Sequence, residues 1–506
     1  RQNPTLPVAL SLLQANYFVD YSIVLAGVIL ATIPLLLLFI FAGKQLVSGI
    51  MAGAVKGREG TPMSRIPRED SASMSRPFPD GFLFGAATAA YQIEGAAFED
   101  GRRASIWDAF SREPGAVINA DNGDVACDHY HRYADDVALM KELGLDTYRF
   151  SVSWSRVRPD GGPVNQKGLD FYRRLVDELR GAGIVPWLTL YHWDLPQALQ
   201  ERGGWTAREI SDLFTEYALD VHDALGDRVE NWTTLNEPWC SSFLSYTAGI
   251  HAPGHYSVTE GVLAAHHLML GHGQVIRELR ARDASLKLGI TLNLTGAEPV
   301  DPDDPADADA ARRIDGQFNR WFLDPIFRGA YPEDIVEDIR AVDAEAIDAL
   351  DAANRPGDLE VISTRLDALG VNYYHNEYVG GEPDPNPPAP TDAPTPRRAE
   401  SPFPSHDGIH LHERGLPRTS MHWEVQPEGL SHVLQRVWTE YAQPVGTVLY
   451  VTENGAAYDD TVSPDGVHDV ERTEFLRGHL GAVRDALDAG VDVRGYFYWS
   501  LLDNFE

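Results

Sequence analysis

From about residue 77 onward, short apolar runs alternate with longer stretches of helical spacing. The short runs are Phe82–Ala90, Thr147–Trp154, Val185–Tyr191, Trp232–Glu237, Leu286–Leu294, Ala368–Tyr374, Val448–Glu453 and Gly495–Leu502. Each is rich in β-branched and aromatic residues and bounded by Gly, Asp or Asn, the signature of a strand. The stretches between them are helical, as in Tyr133–Leu143, where Val137, Met140 and Leu143 recur on one side. Eight strands alternating with helices predict an α/β fold, a (β/α)8 TIM barrel. The sequence ends at Glu506, just past the eighth run, so the pattern predicts a barrel truncated after strand eight.

The first 57 residues read differently. Tyr21 to Ala42 is 22 residues without a charge, including Leu35, Leu36, Leu37 and Leu38. That length suits one transmembrane helix, in which Pro34 is tolerable. Lys44 and Lys56 follow the run, so the positive-inside rule puts what comes next in the cytoplasm. Residues 58–76 are rich in Ser, Arg, Pro and Met and read as a disordered linker, leaving 77–506 for the barrel. Phe41-Ala42-Gly43-Lys44 through Gly53-Ala54-Val55-Lys56-Gly57 resembles the carboxyl end of sugar ABC-importer permeases. The resemblance implies a permease tail joined to an enzyme that starts at Met63 or Met74. The other reading is a membrane-tethered enzyme, so a membrane partner is expected only if this segment is retained.

Charge narrows the choice of partner. A net charge of −33 excludes nucleic acid, whose phosphates such a surface repels. Five of the basic residues are lysine and the rest arginine, which fits either a GC-rich genome or a salt-rich cytoplasm. The two cysteines, Cys127 and Cys240, are far apart and offer neither a disulfide framework nor a metal motif. Both are expected to be buried, inert thiols in a reducing, cytoplasmic protein. His129 and His131 have metal-like spacing but are expected to pack, so no metal or cofactor is called for. The Asp-rich stretch Asp301–Asp309 reads as a solvated loop, and Glu382–Arg398 as a Pro-rich surface insertion. Nothing in the sequence sets an oligomeric state.

Polar residues collect at the carboxyl ends of the strands: Gln92 and Glu94, Arg149, His192, Asn236 and Glu237, Asn372, and Glu453. The active site of this barrel lies at that face. Glu237 and Glu453 end the fourth and seventh strands, on opposite sides of the ring. Glycosidic cleavage needs such a pair, one acid for the leaving oxygen and one carboxylate at the anomeric carbon.

From about Pro77 to Glu506 the chain resembles family 1 glycoside hydrolases, the β-glucosidase family. The motifs that carry the resemblance are Phe84-Gly85-Ala86-Ala87-Thr88, Tyr91-Gln92-Ile93-Glu94-Gly95-Ala96, Tyr148-Arg149-Phe150-Ser151 and Tyr191-His192-Trp193-Asp194-Leu195-Pro196. They continue with Asn236-Glu237-Pro238, Thr452-Glu453-Asn454-Gly455 and Trp499-Ser500-Leu501-Leu502-Asp503-Asn504-Phe505-Glu506. The resemblance implies Glu237 as acid and base and Glu453 as nucleophile, with Arg149, Tyr374 and Asn372 around them. It implies sugar binding by Gln92, His192, Trp193, Asn236, Trp423, Trp499 and Glu506. The expected reaction is hydrolysis of terminal β-D-glucosyl residues, and also fucosyl or galactosyl ones, by a retaining double displacement without cofactor. Two other classes compete with this: a fragment of a sugar transporter fused to a non-functional barrel, and a sugar-binding relative without chemistry.

Overall fold

A computed structural model describes residues 77–385, 401–464 and 466–505. The apolar run Tyr21–Ala42, the permease-like stretch and the linker lie outside the described residues, as do Glu506 and most of the Pro-rich insertion. Among the described residues, no helix is long and apolar enough to cross a membrane.

The described strands are β1 (Leu83–Ala87), β2 (Thr147–Ser151), β3 (Val185–Tyr191), β4 (Asn231–Asn236), β5 (Lys287–Asn293), β6 (Ala297–Pro299), β7 (Ala368–Asn372), β8 (Glu377–Gly380), β9 (His410–Leu411), β10 (Val448–Asn454) and β11 (Val493–Trp499). Eight of them close a barrel in the order β1-β11-β10-β7-β5-β4-β3-β2, and all the pairings are parallel. These eight are the runs expected from the sequence, with ends moved by three residues at most. The first is cut short because Ala90–Ile93 turns into a helix. β6, β8 and β9 form a small separate sheet that the pattern did not announce.

Between β1 and β2 runs α1 (His129–Leu143), and between β2 and β3 runs α2 (Gln166–Ala182). Both end at a glycine in the left-handed region, Gly144 with φ +75° and Gly183 with φ +83°, which stops the helix and turns the chain into the next strand. After β3 and β4 come α3 (Glu209–Leu225) and α4 (Val258–Arg282). The helices bury their apolar stripes against outward-facing strand residues. Val137 and Met140 of α1 and Phe171 of α2 share one core with Tyr148 and Phe150 of β2. Inside the barrel, Trp187 packs edge-on against Tyr450 and Phe497, with ring centroids 4.7 and 5.3 Å away, and closes the floor under the carboxyl-end mouth.

The acidic stretch near 301 departs from expectation. Instead of a loop, most of its second half opens α5 (Pro305–Asp315). The Asp304 side chain accepts from Ala306 N, and Pro305 occupies the first turn, where its missing N–H costs nothing. Two further helices cover the last strands, α6 (Pro427–Val437) after β9 and α7 (Val470–Asp488) after β10.

Candidate active site

Strand alternation alone would not bring both glutamates inward. On β4, Thr233 accepts from the indole of Trp187 inside the barrel, and Thr234 meets His272 of α4 outside. Strict alternation would then put Asn236 on the outside. The β4–β5 register shifts between Thr233 and Asn236, and Asn236 faces in. The β10–β7 register shifts likewise between Val451 and Glu453, so Thr452 and Glu453 both face the interior although adjacent. Glu237, the next residue after β4, has φ +48°, a left-handed conformation that costs a non-glycine residue about 1–3 kcal/mol.

The side chains form one continuous hydrogen-bonded unit. Arg149 of β2 is fully buried and donates to Glu453 Oε1 at 2.6 Å and to Asn236 Oδ1 at 2.6 Å. The Tyr374 hydroxyl donates to Glu453 Oε2 at 2.8 Å. Asn372 Nδ2 donates to Glu237 Oε1 at 2.8 Å and to Asn236 Oδ1 at 3.1 Å, while Thr452 donates to Asn372 Oδ1. Both oxygens of Glu453 are therefore held by a cation or a phenol, whereas Glu237 meets neutral donors.

Those surroundings set different protonation. Burial first, then the charge of Glu453, pushes the Glu237 carboxyl up to about 8. Burial also raises Glu453, but Arg149, by charge and by hydrogen bond, and then Tyr374 oppose it. The pair separates, with Glu237 the group that keeps its proton at neutral pH.

The sugar-binding expectations fall around this centre. Because Arg149 takes Asn236 Oδ1, the amide must point Nδ2 at His192 Nε2, 3.1 Å away. Burial, followed by Arg149, holds His192 well below its usual range, so the ring is neutral. Nε2 accepts, the proton sits on Nδ1, and that buried Nδ1 meets no partner among the described residues. Gln92 is the complement: Nε2 donates to Phe505 O at 2.9 Å and to Asn504 Oδ1, and the buried Oε1 is unpaired among the described residues. Trp499 stacks on His192 at 5.6 Å, and Trp193 donates to Asn236 O at 3.0 Å. Trp423 stacks on His375 and lies 5.4 Å from the Tyr374 ring. Glu506 lies outside the described residues. Glu94 turns away and pairs with Arg156 and Tyr172 in the core.

Some neighbours were not anticipated. Thr189 fixes Arg149 from β3, and Thr452 orients Asn372. Their period-2 spacing from Trp187 and from Tyr450 was the available signal. Neither thiol is inert packing in full. Cys127 is half-buried and donates to Asp503 O at 2.8 Å, and Cys240 is buried with Sγ 3.3 Å from Glu237 Oε2. His129 is paired with Asp136, and His131 with Asp128 and Glu99.

Comparisons with known proteins identify the family. The family model described as "Glycosyl hydrolase family 1" matches residues 74–506. Thermostable beta-glucosidase B of Thermobispora bispora is 48% identical, over 92% of this chain and 89% of the relative. The bifunctional beta-D-glucosidase/beta-D-fucosidase of Bifidobacterium breve is 45% identical, over 86% and 91%. The crystal structure of a psychrophilic beta-glucosidase from Micrococcus antarcticus superposes with a TM-score of 0.82 at 53% identity, covering 86% of this chain and 92% of that one. With its closed parallel barrel and two buried glutamates at the mouth, the chain belongs to glycosyl hydrolase family 1 and is a β-glycosidase.

Proposed function

We propose that the chain releases terminal β-D-glucosyl residues by double displacement, with Glu453 as nucleophile and Glu237 as acid and then base. The observation that carries this reading is the asymmetry of the two carboxyls. Glu453 is held anionic by Arg149 and Tyr374, and Glu237 stays protonated through burial and the neighbouring charge.

In the first step Glu453 attacks the anomeric carbon while Glu237 gives its proton to the departing oxygen. The glycosyl ester neutralises Glu453. Its repulsion on Glu237 then disappears, the acidity of Glu237 rises, and the carboxylate left behind takes a proton from the attacking water. Arg149 loses its anionic partner at the ester stage and regains it on release, so it stabilises the leaving carboxylate. His192 Nδ1–H and Gln92 Oε1, a donor and an acceptor without partners among the described residues, supply what neighbouring sugar hydroxyls need. Trp499 offers its flat face to the C–H side of the ring, Asn236 the contact to the 2-hydroxyl, and Glu506 an acceptor for the outer hydroxyls. Trp423 and Trp193 would flank the aglycone side.

The relative named for both glucosidase and fucosidase activity supports a sugar site that tolerates change at the 4- and 6-positions. We place the enzyme in the cytoplasm, since both described thiols are free; fractionation of the native source checks this. The reaction itself is tested by proton NMR of an aryl β-glucoside during the first minute of hydrolysis. β-Glucose should appear first and mutarotate later, and α-glucose appearing first would overturn the reading.

A further inference from the structure

Cys240 lies three residues beyond Glu237, where the chain leaves β4 and enters the helical turn Cys240–Thr247. Its N–H donates to the Glu237 carbonyl at 3.0 Å, which folds the side chain back toward the carboxyl. Sγ then sits 3.3 Å from Glu237 Oε2, and Asn293 Nδ2 at the end of β5 reaches the sulfur at 3.7 Å. The two oxygens of Glu237 are thus distinct. Oε1 accepts from Asn372, whose amide is oriented by Thr452, so the carboxylic proton resides on Oε2, beside the sulfur.

We infer that Cys240 is a positioning residue for the acid/base step, a deliberately weak partner that orients Oε2 of Glu237 without retaining its proton. The inference rests on Glu237 being the acid and base. A thiol is a poor donor and a poor acceptor, so it satisfies the buried oxygen only lightly. The proton of Glu237 remains available to a sugar oxygen. When Glu237 is anionic, the S–H lends a hydrogen bond that is weaker than a hydroxyl's. Burial and the nearby Glu237 charge hold the thiol well above its usual range, so the sulfur keeps its proton and acts as that donor. The charged and titratable groups acting on Glu237 are Glu453 on β10, Arg149 on β2 and Cys240 itself; Asn372 on β7 is neutral.

Two variants test this, each first checked for wild-type thermal unfolding. Cys240→Ser offers a stronger donor to the carboxylate, and Cys240→Ala offers none. On an alkyl β-glucoside, whose leaving group needs a proton, the basic limb of kcat/KM should move down in the serine variant and up in the alanine variant, each by about half a pH unit or more. A limb that stays put in both, or moves the same way in both, overturns the inference. A merely structural role would change the height of the profile and leave its limbs in place. Glu237→Gln is the parallel control: it should lose about 10²–10⁴-fold on the alkyl glucoside but keep the first-turnover burst on a dinitrophenyl β-glucoside. If that contrast is missing, the acid/base reading itself fails. If it is present and the cysteine variants leave the limb unmoved, only the role of Cys240 fails.

Discussion

Arg149 does the most with the least exposure. Its guanidinium is buried completely and makes charge-assisted bonds to Glu453 and Asn236, so replacing it strands an anion in the barrel. Arg149→Met should cost about 3–5 kcal/mol of unfolding free energy as well as activity. Adding Glu453→Gln to that variant should restore much of the loss, which chemical denaturation of the two single variants and the double variant measures. Glu237 should behave in the opposite sense. Its folded carboxyl is raised to about 8 from an ordinary 4.5, so the folded state binds the proton more tightly than the unfolded chain. That contribution is present in full below the unfolded value and is lost as pH rises through the folded one. Glu237→Gln should therefore stabilise the protein, by about 1–3 kcal/mol at neutral pH, with the gain growing between about pH 4.5 and 8. An unfolding midpoint that does not depend on pH in that window would contradict the raised carboxyl.

Among the elements, the strand ends carry the function. The register shifts before Asn236 and Glu453 turn side chains inward that a regular strand would hide, and neither shift has a signature in the sequence. The strands were legible because each is a short apolar run with turn residues at its ends. The sheet β6-β8-β9 was not, since its members are two to four residues long and one contains a proline. The pairing of Arg149 with Glu453 became visible only through the family resemblance, because no local spacing joins residues so far apart. The turn after β10 makes the tightest approach. A Cβ on Gly455 would lie 1.6 Å from the carbonyl oxygen of Trp499, backbone that cannot swing away. Gly455→Ala should push β11 and its Trp499 off the pocket, raising KM for glucosides and costing about 2–3 kcal/mol of stability. Saturation kinetics and thermal unfolding read both effects.

At the scale of the whole molecule, the excess of acid is partly organised. Arg312 binds Asp309, Asp334 and Asp338, and Arg320 bridges Asp334 to Asp315, which Arg436 also holds. Such pairs are shorter than the Debye length of about 10 Å at 0.1 M salt, whereas the repulsion behind a net charge of −33 acts over longer distances. Added salt should therefore screen the repulsion more than the pairs. The melting temperature should rise between about 0.01 and 0.5 M sodium chloride, and a fall would show that the pairs dominate. The (β/α)8 plan and the two glutamates could be read directly, since a large core and a polar rim both leave their mark on the pattern. What joins these scales is the covalent step proposed at Glu453, and one measurement reaches it. Glu453→Ala should abolish turnover of an activated aryl β-glucoside, and azide should restore it by occupying the vacated space and giving the α-glycosyl azide. A β-glycosyl azide, or no rescue in a folded variant, would contradict the account.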